Sequence, residues 1–103
     1  MTTKRLRDIP YGNVKVRIYK NEKGEEYRTV LQSYATDVVE IDKNGWVFVN
    51  TLYSRTTRKH ISAFCREYLP FDYYTLKQCY YEDTVINKNT GEVISRKEYE
   101  NMV

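Results

Sequence analysis

The stretch Trp46–Leu69, WVFVNTLYSRTTRKHISAFCREYL, changes its period half-way along, and that change decides the fold. Its opening, Trp46-Val47-Phe48-Val49, is a β-branched and aromatic run, which suits a strand. From Thr57 onward the apolar positions recur at Ile61, Phe64, Cys65, Tyr68 and Leu69, the spacing of one helix face. The switch falls at Tyr53-Ser54-Arg55-Thr56-Thr57. Here Ser54 or Thr56 can serve as N-cap, its hydroxyl oxygen accepting from a backbone N–H that has no partner inside the helix. The opposite face carries Arg55, Arg58, Lys59, Ser62 and Arg66, offset only by Glu67. A strand therefore feeds an amphipathic helix whose outer face is basic.

Working back from Trp46, Asp42-Lys43-Asn44-Gly45 is a hairpin signal, since Asn-Gly readily takes the type I′ turn. Three strands precede it. Thr36–Asp42 and Glu26–Tyr34 supply Val30, Leu31, Val38, Val39 and Ile41 as core candidates. Val14–Lys20 alternates strictly between apolar and polar residues, the pattern of a half-buried strand, and Gly24 closes the turn after it. Residues 1–13 read as a polar lead-in with a basic cluster, Lys4, Arg5 and Arg7. Working forward, Pro70 helps to end the helix. Asp72–Glu82 fits either a helix or a strand. The helix is preferred, capped by Asp72, with Tyr73, Leu76, Cys79 and Tyr80 inward. A second hairpin joins Thr84–Ile86 to Glu92–Ile94, and Ser95 with Glu98 has capping-box spacing for a short last helix. The expected fold is one α+β domain over residues 1–103. It is a curved antiparallel β-meander packed on one main amphipathic helix, with a C-terminal hairpin and a short helix.

The 103 residues, 41% hydrophobic and 30% charged, fit a single soluble domain. Tyrosine makes up most of the aromatic share, with 11 residues. Burial is the expected use for most of them, because a small domain needs its aromatics for a core; a binding surface is the other use. A net charge of +3 permits nucleic acid or an acidic partner and requires neither. The opening MTTKRLRD has no apolar signal-like run, so a cytoplasmic protein without a membrane partner is expected. Its thiols, Cys65 and Cys79, are then reduced and buried.

Catalytic constellations are hard to find. His60, Cys65 and Cys79 lack metal-ligand spacing, and His60 and Cys65 point in different directions on a helix. Cys79 would have to fold back to His60 to form a nucleophilic pair. Gly12, Gly24, Gly45 and Gly91 sit in separate turns rather than in a phosphate loop. Asp37, Glu40 and Asp42 read as solvated strand charges. No enzyme, metal or cofactor is expected. What remains is a candidate partner-binding surface of Arg55, Arg58, Lys59 and Arg66 with Tyr53 beside them. Its plain alternative is a solvated helix face. Cations in the first turns oppose the helix dipole, a mismatch that an anionic partner would relieve.

The segments Ser33-Tyr34-Ala35-Thr36-Asp37-Val38-Val39-Glu40-Ile41-Asp42 and Tyr53-Ser54-Arg55-Thr56-Thr57-Arg58-Lys59-His60-Ile61 form a pattern, SYxTxVxxID followed by YSxTTxxHI. It resembles a group of small uncharacterised proteins encoded by bacteriophages and prophages, over roughly residues 30–69. The resemblance implies a phage gene and carries over no activity. Within it, Ser54, Thr56, Thr57 and His60 read as a structural turn tying sheet to helix. The function expected is a non-enzymatic binding protein that inhibits a bacterial defence system in the host cytoplasm. An anti-CRISPR protein blocking a Cas effector nuclease by contact is the leading form of it. The alternative is a phage accessory protein that binds nucleic acid through the basic helix face. Oligomeric state and target stay open.

Overall fold

A computed structural model describes residues 1–52 and 54–102. They form one α+β domain built on a seven-stranded antiparallel sheet whose spatial order equals chain order. The strands are β1 (Thr2–Lys4), β2 (Val14–Lys20), β3 (Glu26–Ser33), β4 (Thr36–Asp42), β5 (Trp46–Val49), β6 (Thr84–Asn87) and β7 (Val93–Ser95). Between β5 and β6 the chain leaves the sheet for two helices, α1 (Arg55–Tyr68) and α2 (Tyr73–Glu82). A short helix, α3 (Arg96–Met102), ends it.

The alternation in β2 places Val14, Val16 and Ile18 on one face, each buried. Register carries that face across the sheet through Leu31, Val39, Ile41, Val47, Val49 and Ile86. A bulge between Leu31 and Gln32 leaves Val38 without a register partner in β3 and fully buried in the same core. Against this face lie Ile61, Phe64 and Cys65 of α1, and Tyr73, Leu76 and Cys79 of α2. Burying a side chain of this size is worth about 1.5–3 kcal/mol, which exceeds any contribution from helix propensity. The second face is polar around Arg17 and Arg28. Towards β7 it holds a smaller core of Trp46, Val85 and Ile94, closed by Tyr99 of α3.

Several expectations change. Thr2–Lys4 of the lead-in forms a strand, β1, paired with β2, and Leu6 beyond it is fully buried. The C-terminal hairpin is continuous with the meander, because β6 pairs with β5. Residues 73–82 form the helix that the sequence preferred over a strand; Asp72 Oδ1 accepts from the Thr75 N–H at 3.1 Å. That helix packs on the sheet beside α1, so two helices cover the face. Tyr80, placed inward by the sequence, is exposed.

The tyrosines depart furthest from expectation. Of the ten in the described residues, Tyr73 is buried and Tyr19, Tyr68 and Tyr99 are half-buried. Tyr11, Tyr27, Tyr34, Tyr74, Tyr80 and Tyr81 are exposed. The valines, isoleucines and leucines fill the core, which leaves the larger rings on the surface.

Candidate binding surface

Ser54 begins α1 as its N-cap. Its Oγ accepts from the Thr57 N–H at 3.0 Å and lies 2.9 Å from Thr57 Oγ1. Thr57 is fully buried, whereas Thr56 points to solvent, so of the two candidate caps the chain uses Ser54. One turn on, His60 Nδ1 meets Ser33 Oγ of β3 at 2.8 Å. Burial pushes the His60 pKa below its usual value, and the Lys59 charge adds to that. Ser54, Thr57 and His60 thus join turn, helix and sheet. Tyr53 lies outside the described residues.

The basic residues divide by whether the fold already holds them. Arg66 Nε donates to Asp8 Oδ2 at 2.8 Å, which fastens the N-terminal segment across α1. This bond above all holds the Asp8 carboxyl below the usual carboxylate range. The neighbouring Arg7 N–H donates to Glu67 Oε1. Arg5 reaches the carbonyls of Gly12 and Val14. Arg17 grips Asp37 through two bonds, Arg28 pairs with Glu40, and Arg96 pairs with Asp83. Arg58 lies over the Tyr73 ring, 5.5 Å from its centroid. Among the described residues Arg55 is the one arginine with no such contact, and Lys59 beside it is likewise unpaired.

Those two line a groove the sequence could not show. Leu69 leaves the helix in an extended conformation, Pro70 cannot continue it, and Asp72 starts α2 three residues later. The tight connection sets the N-terminal turn of α2 beside α1. Between them lies a depression of about 640 Å³ floored by Cys65, Leu69 and Phe71. It shares Ser62, Tyr73 and Tyr74 with a second one of about 450 Å³, walled by Arg55, Arg58 and Lys59. Of the expected partner-binding residues, Arg55, Arg58 and Lys59 come together here. Arg66 lies in the same groove with its guanidinium occupied by Asp8. Tyr73 and Tyr74 were missed as site residues, and the Asp72 cap is the signal that sets their phase. Cys65 is buried, and that burial pushes its thiol up to about 12, away from the thiolate form. The groove can hold a ligand by charge and aromatic contact.

Among the described residues no group of three or more His, Cys, Asp and Glu side chains is placed to hold a metal ion. No helix there is long and apolar enough to cross a membrane. Fold and surface define a small single-sheet α+β domain with a cationic, tyrosine-lined groove. The chain belongs to a family of unknown function, DUF8033, whose family model matches residues 4–84 and so includes the whole groove. Neither a curated protein nor a solved structure matches it.

Proposed function

We propose that this protein is a phage-encoded inhibitor of a bacterial defence system that works by contact rather than by chemistry, with a CRISPR effector nuclease as its target. The observation that carries the reading is the α1–α2 groove, where Arg55 and Lys59, unpaired among the described residues, adjoin Tyr73 and exposed Tyr74. Arginine and tyrosine are among the residue types most enriched at interaction hot spots. The phage-like pattern over residues 30–69 supports the biological setting.

Charge narrows the mode of binding. A cationic groove repels the basic channel through which an effector tracks nucleic acid, so it suits an acidic surface instead. Carboxylates that hold a nuclease's metal ions are such a surface. The protein then blocks cleavage by covering them.

The test is co-expression with bacterial defence systems, followed by cleavage assays with any purified effector that is silenced. The wild type relieves immunity and stops cleavage; Arg55→Glu with Lys59→Glu restores both while the melting temperature holds. If no system is relieved, the reading is wrong. Steeply salt-dependent binding to free DNA or RNA, lost in the same double variant, would favour a nucleic-acid-binding accessory protein in its place.

A further inference from the structure

We propose a second, separate ligand site, for a small organic phosphate, at the end of the sheet remote from the start of α1. Three lysines from three different elements line one cavity of about 260 Å³: Lys4 of β1, Lys43 of the β4–β5 turn and Lys88 of the β6–β7 turn. Among the described residues none of the three has a carboxylate partner, and Lys88 is half-buried without one. An anion brought among three such ammonium groups is held by charge-assisted hydrogen bonds.

The carboxylates nearby do not cancel this charge. Asp42 is engaged by the N–H groups of Asn44 and Trp46 and by the Tyr99 hydroxyl. Arg28 and Glu40 neutralise each other. Glu26, exposed on the rim, and Asp42 set two negative charges against the three lysines, which leaves the cavity a net positive charge.

The platform beneath the lysines is rigid. The Lys88 N–H donates to the Gly45 carbonyl at 2.8 Å, and Asn87 Nδ2 donates to the Asn44 carbonyl at 3.1 Å. These bonds lock the two turns together, so the backbones that carry Lys43 and Lys88 need little ordering when an anion arrives, and only the side chains remain to be ordered. Thr29 and Tyr68 bring hydroxyl groups to the wall, and the half-buried Tyr68 ring brings apolar surface. Lysines for the phosphate and the Tyr68 ring for an aromatic group describe a phosphate monoester of mononucleotide size or smaller. This site does not depend on the defence-inhibitor reading.

The experiment is an amide NMR titration of the full chain at low salt with adenosine monophosphate. Adenosine, inorganic phosphate and an oligonucleotide with a terminal phosphate are run in parallel. Adenosine monophosphate is expected to shift Thr29, Gly45, Lys88 and Asn89, with adenosine silent and inorganic phosphate weaker. Lys43→Glu is expected to weaken binding by about tenfold. Lys23→Glu, the same charge change in the exposed β2–β3 turn, should leave binding as it was. Lys43 is exposed, so its variant decides the matter even if Lys88→Glu fails to fold. Tighter binding of the oligonucleotide assigns the phosphate to a nucleic-acid end, and tighter binding of the monophosphate assigns it to a free metabolite. The proposal is overturned if no shifts occur, if they centre on Arg55 and Lys59, or if Lys23→Glu weakens binding equally. It is also overturned if inorganic phosphate binds as well as the monophosphate, because the apolar wall then does nothing.

Discussion

Ser33 Oγ and His60 Nδ1, both on buried side chains, lie 2.8 Å apart and bind β3 to α1 across the core. The neutral imidazole either accepts the serine proton or donates its own, and each residue satisfies the other. Removing one partner leaves the other buried and unpaired, which costs about 1–3 kcal/mol. Ser33→Ala and His60→Ala are therefore each expected to lower the melting temperature. The drop should be roughly 4–8 °C for every kcal/mol lost in a domain near this size. A double-mutant cycle should show the two losses to be less than additive.

The same pair gives a pH dependence with a definite sign. His60 has a lowered pKa in the folded protein, so the folded state binds its proton less readily than the unfolded chain. Its contribution is complete above the ordinary value of 6.5 and is lost as the pH falls from there through the folded value. Urea melts from neutral to mildly acidic pH should show stability falling in that window. His60→Ala should flatten this part of the curve.

The start of α1 separates two threonine-like positions that look alike in sequence. Ser54→Ala removes the cap and should cost about 1 kcal/mol. Thr56→Ala, at an exposed position outside the cap, should leave the melting temperature within experimental error of the wild type. Thermal melts of the two variants side by side check the assignment.

Charge reversal in the groove should not harm the fold. Arg55→Glu and Lys59→Glu place acids near the positive end of the α1 dipole and break no ion pair. They are expected to raise stability by about 0.3–1 kcal/mol or leave it unchanged. Arg66→Ala releases Asp8 and should lower stability by no more than about 1 kcal/mol, as exposed ion pairs do. Chemical denaturation of the three variants gives the comparison.

Gly45 should be the least replaceable glycine. Its φ is +91°, and a Cβ there would lie 3.3 Å from Asn87 Oδ1 and closer still to the Asn89 amide. Gly24 has a similar φ of +82° but open space around it. Gly24→Ala should cost about 1–2 kcal/mol from the backbone alone. Gly45→Ala should cost more, because it also parts the two interlocked turns. Equal losses in the two variants would show that those turns are not in contact.

Legibility followed the range of the interactions. The change of period between Trp46 and Leu69 is local, so strand, cap and helix were readable from neighbouring residues. The two Asn- and Gly-bearing hairpin turns were readable for the same reason. β1 was not, because Thr2–Lys4 is polar and becomes a strand only by pairing with β2. Neighbours Tyr73 and Tyr74 are 7% and 69% exposed. Composition cannot tell them apart; the Asp72 cap fixes which faces inward. The candidate site was half visible. The charges of Arg55, Arg58, Lys59 and Arg66 stand in the sequence, but the capture of Arg66 by Asp8 joins residues far apart in the chain. Such pairings follow from the assembled fold and leave no local mark.

Because strand order equals chain order, every joint in the sheet but one links strands that follow each other directly. The exception is β5 with β6, where Trp46 meets Asn87 and Val47 meets Ile86 only after both helices have been made. On the ribosome the first five strands can zip together in sequence as they emerge, each closing a short loop. The edge of β5 then stays open until synthesis passes residue 87, and the valine-rich inner face stays wet until α1 docks. An unpaired edge beside wet apolar surface is where a nascent chain pairs with its neighbour instead of with itself. The excursion that carries the binding groove thus also sets how long each new molecule is exposed to aggregation.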